Sequence, residues 1–240
     1  MKVPFRVRPG WVLMAMLLIY SIFTTSSFQR ASSEVRSLKA RFVKEEVKSL
    51  GVDGPEGLWF PIPGARVPDN DLFLPGSVRS YRRGMNQGFD FHSGDSGVPI
   101  DFGTPVIAAA SGELVRVDKN YVELEPNIWR DLIERVAKEG ASDNQLNLLR
   151  GRQVWIKTTD GMILRYAHLH DIRDGIREGQ PVYRGQVIGF AGNSGTDDGV
   201  QGTSDGVRLH FEVWIDEEFF GNGLAPDELR VAAAQLFVGP

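Results

Sequence analysis

The hydrophobic and polar positions between residues 105 and 214 follow the pattern of short strands separated by turns. Several runs rich in β-branched, aromatic and other apolar residues are each bounded by Gly, Asp or Asn, which is typical of strands in an all-β domain. These runs are Pro105–Ala109, Glu113–Val117, Gln153–Lys157, Ile163–Ala167, Gln186–Phe190 and His210–Trp214. The dipeptide Asp160-Gly161 predicts a hairpin between two of them. The regular spacing predicts a mainly-β domain with a β-sandwich-like or barrel-like core.

One segment, residues 126–149, departs from this pattern and has helical periodicity. Its apolar positions fall on one helical face, and Pro126 suits the first turn of a helix that runs to Glu139. Ser142 is a predicted N-cap for a second, shorter helix that continues through Leu149. The sequence therefore predicts a helical hairpin inserted between two strands.

The N-terminal segment, residues 1–29, predicts a membrane anchor. Lys2, Arg6 and Arg8 precede an uncharged run with a strongly apolar centre, which is the pattern of signal peptides and of single-span anchors. No A-x-A cleavage site precedes Arg30, which favours a retained transmembrane helix over a cleaved signal. A retained anchor would place the protein in the cell membrane as a single-pass protein, with its C-terminal part outside the cytoplasm.

The remaining boundaries follow from changes in composition. Residues 30–57 begin as a charged segment without Gly or Pro and end in a Gly- and Pro-containing stretch, which predicts a juxtamembrane helix and a linker. Residues 58–240 then form the predicted β domain, with the helical insert at 126–149.

Composition excludes several classes of function. Hydrophobic residues make up 42% of the 240 residues and charged residues 24%, so a packed core is expected. The formal net charge of -4 argues against a nucleic-acid-binding protein, which would need a basic surface. The chain has no cysteine, so disulfides, thiolate zinc sites and a cysteine nucleophile are excluded. A histidine-based metal site would have to draw on four residues, His92, His168, His170 and His210.

Three short motifs, in this order, carry a family resemblance. They are Asn86-Gln87-Gly88-Phe89-Asp90, Tyr166-Ala167-His168-Leu169 and Arg208-Leu209-His210. The chain resembles the lysostaphin/LytM-type zinc metallopeptidases, which cut peptide cross-links in peptidoglycan and in which the first motif reads H-x-G-x-D and the last reads H-x-H. The resemblance implies a LytM-type fold, built on a duplicated hybrid motif, and zinc as the family cofactor.

The resemblance assigns a role to five positions. Asp90 and His210 match two zinc ligands of the family, and His168 matches the histidine that polarises the zinc-bound water. Asn86 stands at the position of the third ligand, a histidine, and Arg208 stands at the position of the other catalytic histidine.

The two replacements weaken a zinc site on chemical grounds. The neutral amide oxygen of Asn86 is a poor substitute for an imidazole nitrogen. The guanidinium of Arg208 has no lone pair to donate, and its charge repels a cation. We therefore expect no stoichiometric zinc, and we expect Arg208 to neutralise Asp90 in place of the metal.

One alternative ligand set remains open. His92 lies two residues after Asp90, so both side chains would lie on the same face of a strand. A rebuilt zinc site of Asp90, His92 and His210 is therefore an alternative. The same alternation predicts that His168 points inward and His170 outward.

The resemblance, together with the two replacements, implies a domain that acts on or at peptidoglycan without being an active enzyme, as a binding or regulatory protein in cell-wall remodelling. Its expected partner is peptidoglycan or a cell-wall hydrolase, and the helical insert is the candidate partner surface. Two alternatives remain: an active zinc metalloendopeptidase with an altered ligand set, and a structural subunit of a membrane complex.

Overall fold

A computed structural model describes residues 57–238 of the protein. The predicted anchor, residues 1–29, and nearly all of the predicted juxtamembrane helix and linker, residues 30–57, lie outside this range. Within residues 57–238, no helix is both long and apolar enough to cross a membrane.

The part of the chain that the structure describes is mainly β, as predicted. Its strands are β1 Val78–Arg79, β2 Gly84–Met85, β3 Phe89–Phe91, β4 Pro105–Ile107, β5 Gly112–Val117, β6 Val154–Thr158, β7 Ile163–Ala167, β8 Leu169–Ile172, β9 Pro181–Val182, β10 Val187–Ala191, β11 Leu209–Ile215 and β12 Glu218–Phe219. Each of the six predicted strand runs corresponds to one of these strands, with ends that differ by at most two residues. Short 3₁₀ turns at Asp71–Phe73 and Ser80–Arg82 lie near β1.

The strands form a large sheet of seven strands, a second sheet of three and a two-stranded ribbon. The large sheet has the order β12-β11-β7-β6-β5-β9, and β3 also pairs with β11. Strands β6 and β7 form the predicted hairpin, in which Trp155 lies opposite Arg165. Strand β11 pairs with both β7 and β3, so its residues lie in the middle of the site described below.

Alternation along β11 separates a core face from a polar face. Leu209, Phe211 and Val213 are almost fully buried and belong to the main hydrophobic core. His210 and Glu212, which alternate with them, project to the opposite face of the strand. The side chains that hold the sheet to its core and those that form the candidate site are thus interleaved in one strand.

The helices are α1 Pro126–Glu139, α2 Asp143–Leu149, α3 Asp197–Gln201 and α4 Pro226–Leu236. Helices α1 and α2 confirm the predicted hairpin within the insert. Ser142 caps α2 through a reciprocal capping box with Gln145. The hairpin has a small apolar cluster of its own, separate from the main core, formed by Trp129, Leu132, Val136, Leu146 and Leu149.

Gly151, which joins α2 to β6, is expected to tolerate no side chain. Its φ is +66°, and an added Cβ would overlap the backbone of Ser194. We expect Gly151→Ala to lower the free energy of unfolding, measured by chemical denaturation, by about 1–3 kcal/mol or more. The matched control is Gly161, whose φ is +91° but whose Cβ would meet no atom within 4 Å. Gly161→Ala should cost only the backbone term of about 1–2 kcal/mol, and equal losses for the two variants would contradict the packing argument.

Candidate functional site

The site is centred on His210, which lies between two buried carboxylates. The register of β3 and β11 places His210 directly opposite Asp90. Its Nδ1 lies 2.8 Å from Oδ1 of Asp90, and its Nε2 lies 3.0 Å from Oε1 of Glu212. Ionised carboxylates only accept hydrogen bonds, so both ring nitrogens donate and the ring is an imidazolium. Burial alone would lower the pKa of His210, but Asp90 and Glu212 raise it above its usual value.

Asp90 is surrounded by donors on both of its oxygens. Arg79 donates to Oδ2 at 2.5 Å, and the amide nitrogen of Asn86 donates to the same atom at 3.0 Å. The Nε of Arg208 lies 3.7 Å from Oδ1. Burial would raise the pKa of Asp90, but His210, Arg208 and Arg79 together hold it well below its usual range. The predicted Arg208–Asp90 pair is therefore present, and Arg79 is a second, closer partner that the motifs did not indicate.

The side chain of Asn86 acts as a hydrogen-bond donor in this site. The residue is almost fully buried. Its side-chain nitrogen donates to the carbonyl of Leu74 at 3.2 Å as well as to Asp90. The amide NH2 group of Asn86, and not its amide oxygen, therefore faces Asp90.

His168 is held as a neutral ring by contacts on both nitrogens. It lies between β7 and β8 with a φ of +59°. A left-handed backbone conformation therefore turns its side chain inward, where strand alternation alone had been expected to do so. Its Nδ1 donates to the carbonyl of Ser194 at 2.7 Å, and its Nε2 accepts from Arg208 at 2.9 Å. Burial, reinforced by the charges of Arg208 and His210, lowers the pKa of His168 well below its usual value. The lone pair at Nε2 is thus directed at a guanidinium.

Glu212 is, like Asp90, a buried carboxylate with several donors, and it lies outside the family motifs. Arg150 donates to Oε1 at 2.6 Å, Trp214 donates to Oε2 at 2.6 Å, and Arg165 donates to Oε2 at 3.3 Å. Arg165 is itself stacked between the rings of Trp155 and Trp214, at 4.1 and 4.2 Å from the ring centroids. Burial would raise the pKa of Glu212, but Arg150 and His210 hold it well below its usual range.

Asp90, His168, His210 and Glu212, with the arginines Arg79, Arg150 and Arg208, line a cleft of about 560 Å³. One wall consists of apolar residues from the helical insert, namely Trp129, Ile133, Leu146 and Leu149. The Nε1 of Trp129 donates to Asp197 in α3 at 3.2 Å, which connects the insert to α3. The inner face of the insert is thus part of the cleft, whereas Ile128 on the insert is half exposed.

The two other histidines lie outside this network of contacts. His92 is half-buried at the edge of the cleft, where its ring packs on Phe73 at 4.2 Å between centroids. His170 is exposed, as predicted, and packs on Phe102. Within residues 57–238, no group of three or more His, Cys, Asp or Glu side chains is placed to hold a metal ion.

Removing Arg208 should cost less stability than an isolated buried pair would predict. Breaking one side of such a pair typically costs about 3–5 kcal/mol. After Arg208→Ala, however, Asp90 keeps Arg79, His210 and Asn86 as donors. We expect a loss of about 1–2 kcal/mol by chemical denaturation. A loss of the full magnitude would mean that Arg79 does not neutralise Asp90.

The opposite electrostatic environments of His210 and His168 should separate their titrations. Since the pKa of His210 is raised, its stabilising contribution is complete below the unfolded value of 6.5 and is lost as pH rises through the folded value. The pKa of His168 is depressed, so its contribution is complete above 6.5 and is lost as pH falls. NMR titration of the ring protons should find His210 charged and His168 neutral at pH 6.5. Simultaneous titration of both rings would contradict the assigned contacts.

Comparison with known proteins gives one family match. Residues 135–221 match the model of Peptidase family M23. This match confirms the resemblance to LytM- and lysostaphin-type peptidases. The matched segment contains His168, Arg208 and His210, whereas Asn86 and Asp90 precede it.

Solved structures give further similarities of low identity. A zinc containing peptidase from Vibrio cholerae is 23% identical with a TM-score of 0.44, over 68% of this chain and 38% of its own. Csd3 from Helicobacter pylori is 17% identical with a TM-score of 0.39, over 68% and 33%. The catalytic domain of lysostaphin from Staphylococcus simulans is 21% identical with a TM-score of 0.37, over 61% and 82%. The chain thus spans little more than a third of the first two proteins. No curated protein matches the chain.

Proposed function

We propose that this protein is a membrane-anchored, extracytoplasmic M23-type domain that binds at peptidoglycan and regulates cell-wall remodelling without cleaving the wall. The family match supports a role at peptidoglycan, because cell-wall cleavage is the activity of the LytM-type peptidases that the chain resembles. The regulatory role, the anchor and the loss of catalysis are parts of the proposal.

The observation that carries the proposal is the state of His210. A metal ligand must offer a lone pair, but both ring nitrogens of His210 donate to carboxylates, Asp90 and Glu212. Arg79 and Arg208 lie against the second potential ligand, Asp90. A unit charge about 5 Å from a divalent cation costs on the order of several kcal/mol at an effective dielectric constant near 20. The residues present therefore do not fit a zinc ion as they are arranged.

The polarising histidine of the family is also diverted from catalysis. A general base needs a free lone pair directed at the reacting proton. The Nε2 lone pair of His168 accepts from Arg208, and its Nδ1 is held by the carbonyl of Ser194. The same replacement, Arg208, thus repels a metal and occupies the base.

Zinc content tests the catalytic part of this proposal. The full chain, purified without chelators, should contain far less than one zinc per molecule by elemental analysis. One tightly held zinc that is lost in Asp90→Ala would instead favour the active peptidase with an altered ligand set. Matched incubations with purified peptidoglycan should release no peptide fragments.

Localisation and partner tests address the rest of the proposal. Full-length protein should be found in the membrane fraction after salt washing, and a mature N-terminus near Arg30 in the soluble fraction would contradict the anchor. The protein should sediment with purified peptidoglycan or co-purify with a wall hydrolase. Co-purification with other membrane proteins and not with the wall would favour a structural subunit of a membrane complex.

A further inference from the structure

The cleft carries an excess of positive charge inside a protein that is negative overall. Its lining includes four arginines, Arg79, Arg82, Arg150 and Arg208. The carboxylates in the same lining are Asp90, Asp197 and Glu212. Four guanidinium groups against three carboxylates leave one positive charge in excess, although the whole chain has a formal net charge of -4.

Two of these carboxylates are committed to other contacts. Asp197 accepts from Trp129 and from Gln201. Glu212 is shared between Arg150, Arg165 and His210, and Arg165 is not part of the lining. Of the three lining carboxylates, only Asp90 therefore pairs with Arg79 and Arg208.

Arg82 is the cation with the least compensation. Its side chain donates to the carbonyl of Met85 at 2.6 Å and forms no ion pair with the residues that the structure describes. The residue is 92% buried by accessible area, since 8% remains exposed, and its Nε has no hydrogen-bond partner in this part of the chain. Burying a guanidinium without a counter-charge is unfavourable, so this wall of the cleft favours an anion.

The apolar part of the lining restricts the kind of anion. The insert contributes Trp129, Ile133, Leu146 and Leu149, and the 3₁₀ turn at Asp71–Phe73 contributes Leu72 and Phe73. A volume of about 560 Å³ lies within the range of roughly 300–1,000 Å³ that is typical of small-ligand sites. A small inorganic anion would leave these apolar residues uncovered, whereas a peptide with an acidic group would contact both the arginines and the apolar residues.

We propose that the cleft binds a short peptide through a carboxylate held at Arg79, Arg82 and Arg208, with apolar side chains of the peptide against the insert. This inference rests on the proposed function, because it specifies the ligand of the same cleft. Arg79 and Arg208 keep 18% and 22% of their side-chain area exposed, so both still reach the cleft while contacting Asp90. Charge-assisted hydrogen bonds of this kind are about twice as strong as neutral ones.

The first test compares two peptides on the unmodified full chain. N-acetyl-trialanine is titrated as the free acid and as the C-terminal amide by isothermal calorimetry, so that the two ligands differ only in the carboxylate. We expect the acid to bind at least about tenfold more tightly, which corresponds to one charge-assisted hydrogen bond. Equal affinity for the two peptides, or no binding of either, overturns the inference.

The second test locates the carboxylate. Arg82→Gln and Arg208→Lys should each reduce the preference for the acid about tenfold or more. Arg130→Gln is the matched control, because Arg130 lies on the helical insert near the cleft, but its side chain is 69% exposed and is not part of the cleft lining. Circular dichroism shows whether each variant is folded. If the preference persists in folded Arg82→Gln and Arg208→Lys, the carboxylate binds elsewhere and the inference is wrong.

Sedimentation with purified peptidoglycan separates this inference from the proposed function. If the wall binds and the acid and amide peptides are not distinguished, the carboxylate site fails and the role at peptidoglycan stands. If the acid peptide is preferred and the wall does not bind, the carboxylate site stands and the proposed function fails.

Discussion

Replacing Glu212 by leucine should lower the free energy of unfolding by about 3–5 kcal/mol, the cost of breaking a buried ion pair from one side. Glu212 is 1% exposed and accepts from Arg150, Arg165, His210 and Trp214. Its removal leaves the guanidinium of Arg150, whose side chain is only 9% exposed, with Gln87 as its remaining side-chain acceptor among residues 57–238. Chemical denaturation monitored by circular dichroism measures the loss.

A partly exposed ion pair at the end of β5 is the control for this prediction. Arg116 and Asp118 keep 27% and 21% of their side-chain area exposed. Removing a partner there should cost about 1 kcal/mol or less, because solvent already screens the pair. If Glu212→Leu costs no more than Asp118→Leu, Glu212 does not organise the site.

A double-mutant cycle assigns the loss to the ion pair. Arg150→Leu with Glu212→Leu removes both charges, so the double variant should be more stable than the sum of the single losses implies. The residual loss of the double variant then reports Arg165, His210 and Trp214, which still lack their common acceptor. Additive losses would mean that Arg150 and Glu212 contribute independently.

The sequence predicted those elements whose signals are local. The helical insert was predicted with its observed ends because Pro126 opens the first helix, Ser142 caps the second and Gly151 follows it. The strands were predicted because apolar runs alternate with turn residues. The Arg208–Asp90 contact was predicted because the two motifs meet in the family that the chain resembles.

The groups that the sequence did not indicate act through tertiary contacts. Arg79 lies in a two-residue strand and reaches Asp90 eleven residues later, which no periodicity could indicate. Arg150 follows α2 and reaches Glu212 across 62 residues of sequence. Glu212 had a usable signal, because it alternates with His210 along β11 and with Arg208, the residue just before that strand. Treating every residue on the polar face of β11 as a candidate, and not only the two positions of the H-x-H motif, would have included Glu212.

The position of Glu212 also determines how a zinc site could be rebuilt. Glu212 contacts Nε2 of His210 and so leaves Nδ1 directed at Asp90. In metal sites, a carboxylate at the far nitrogen commonly orients the ligating histidine. The orientation needed for a metal between Asp90 and His210 is therefore retained, and the obstacles are the proton on Nδ1 of His210 and the cations around Asp90 that hold this contact in place.

This geometry predicts that restoring the two family histidines is insufficient. Asn86→His with Arg208→His supplies the missing imidazoles and removes one cation. It also frees the Nε2 lone pair of His168. Arg79 would still lie 2.5 Å from Oδ2 of Asp90, next to the incoming metal. We therefore expect this double variant to remain well below one zinc per chain by elemental analysis.

Adding Arg79→Leu to that double variant should raise the zinc content to about one per chain, because three N/O ligands are then available and no guanidinium opposes the ion. The matched control carries Asp90→Asn in addition and should lose the zinc again, since it removes the carboxylate ligand. Equal zinc binding by the double and triple variants would show that Arg79 does not keep the metal out. Failure of the folded triple variant to bind zinc would show that Asn86 and Arg208 do not occupy the positions of the family histidines.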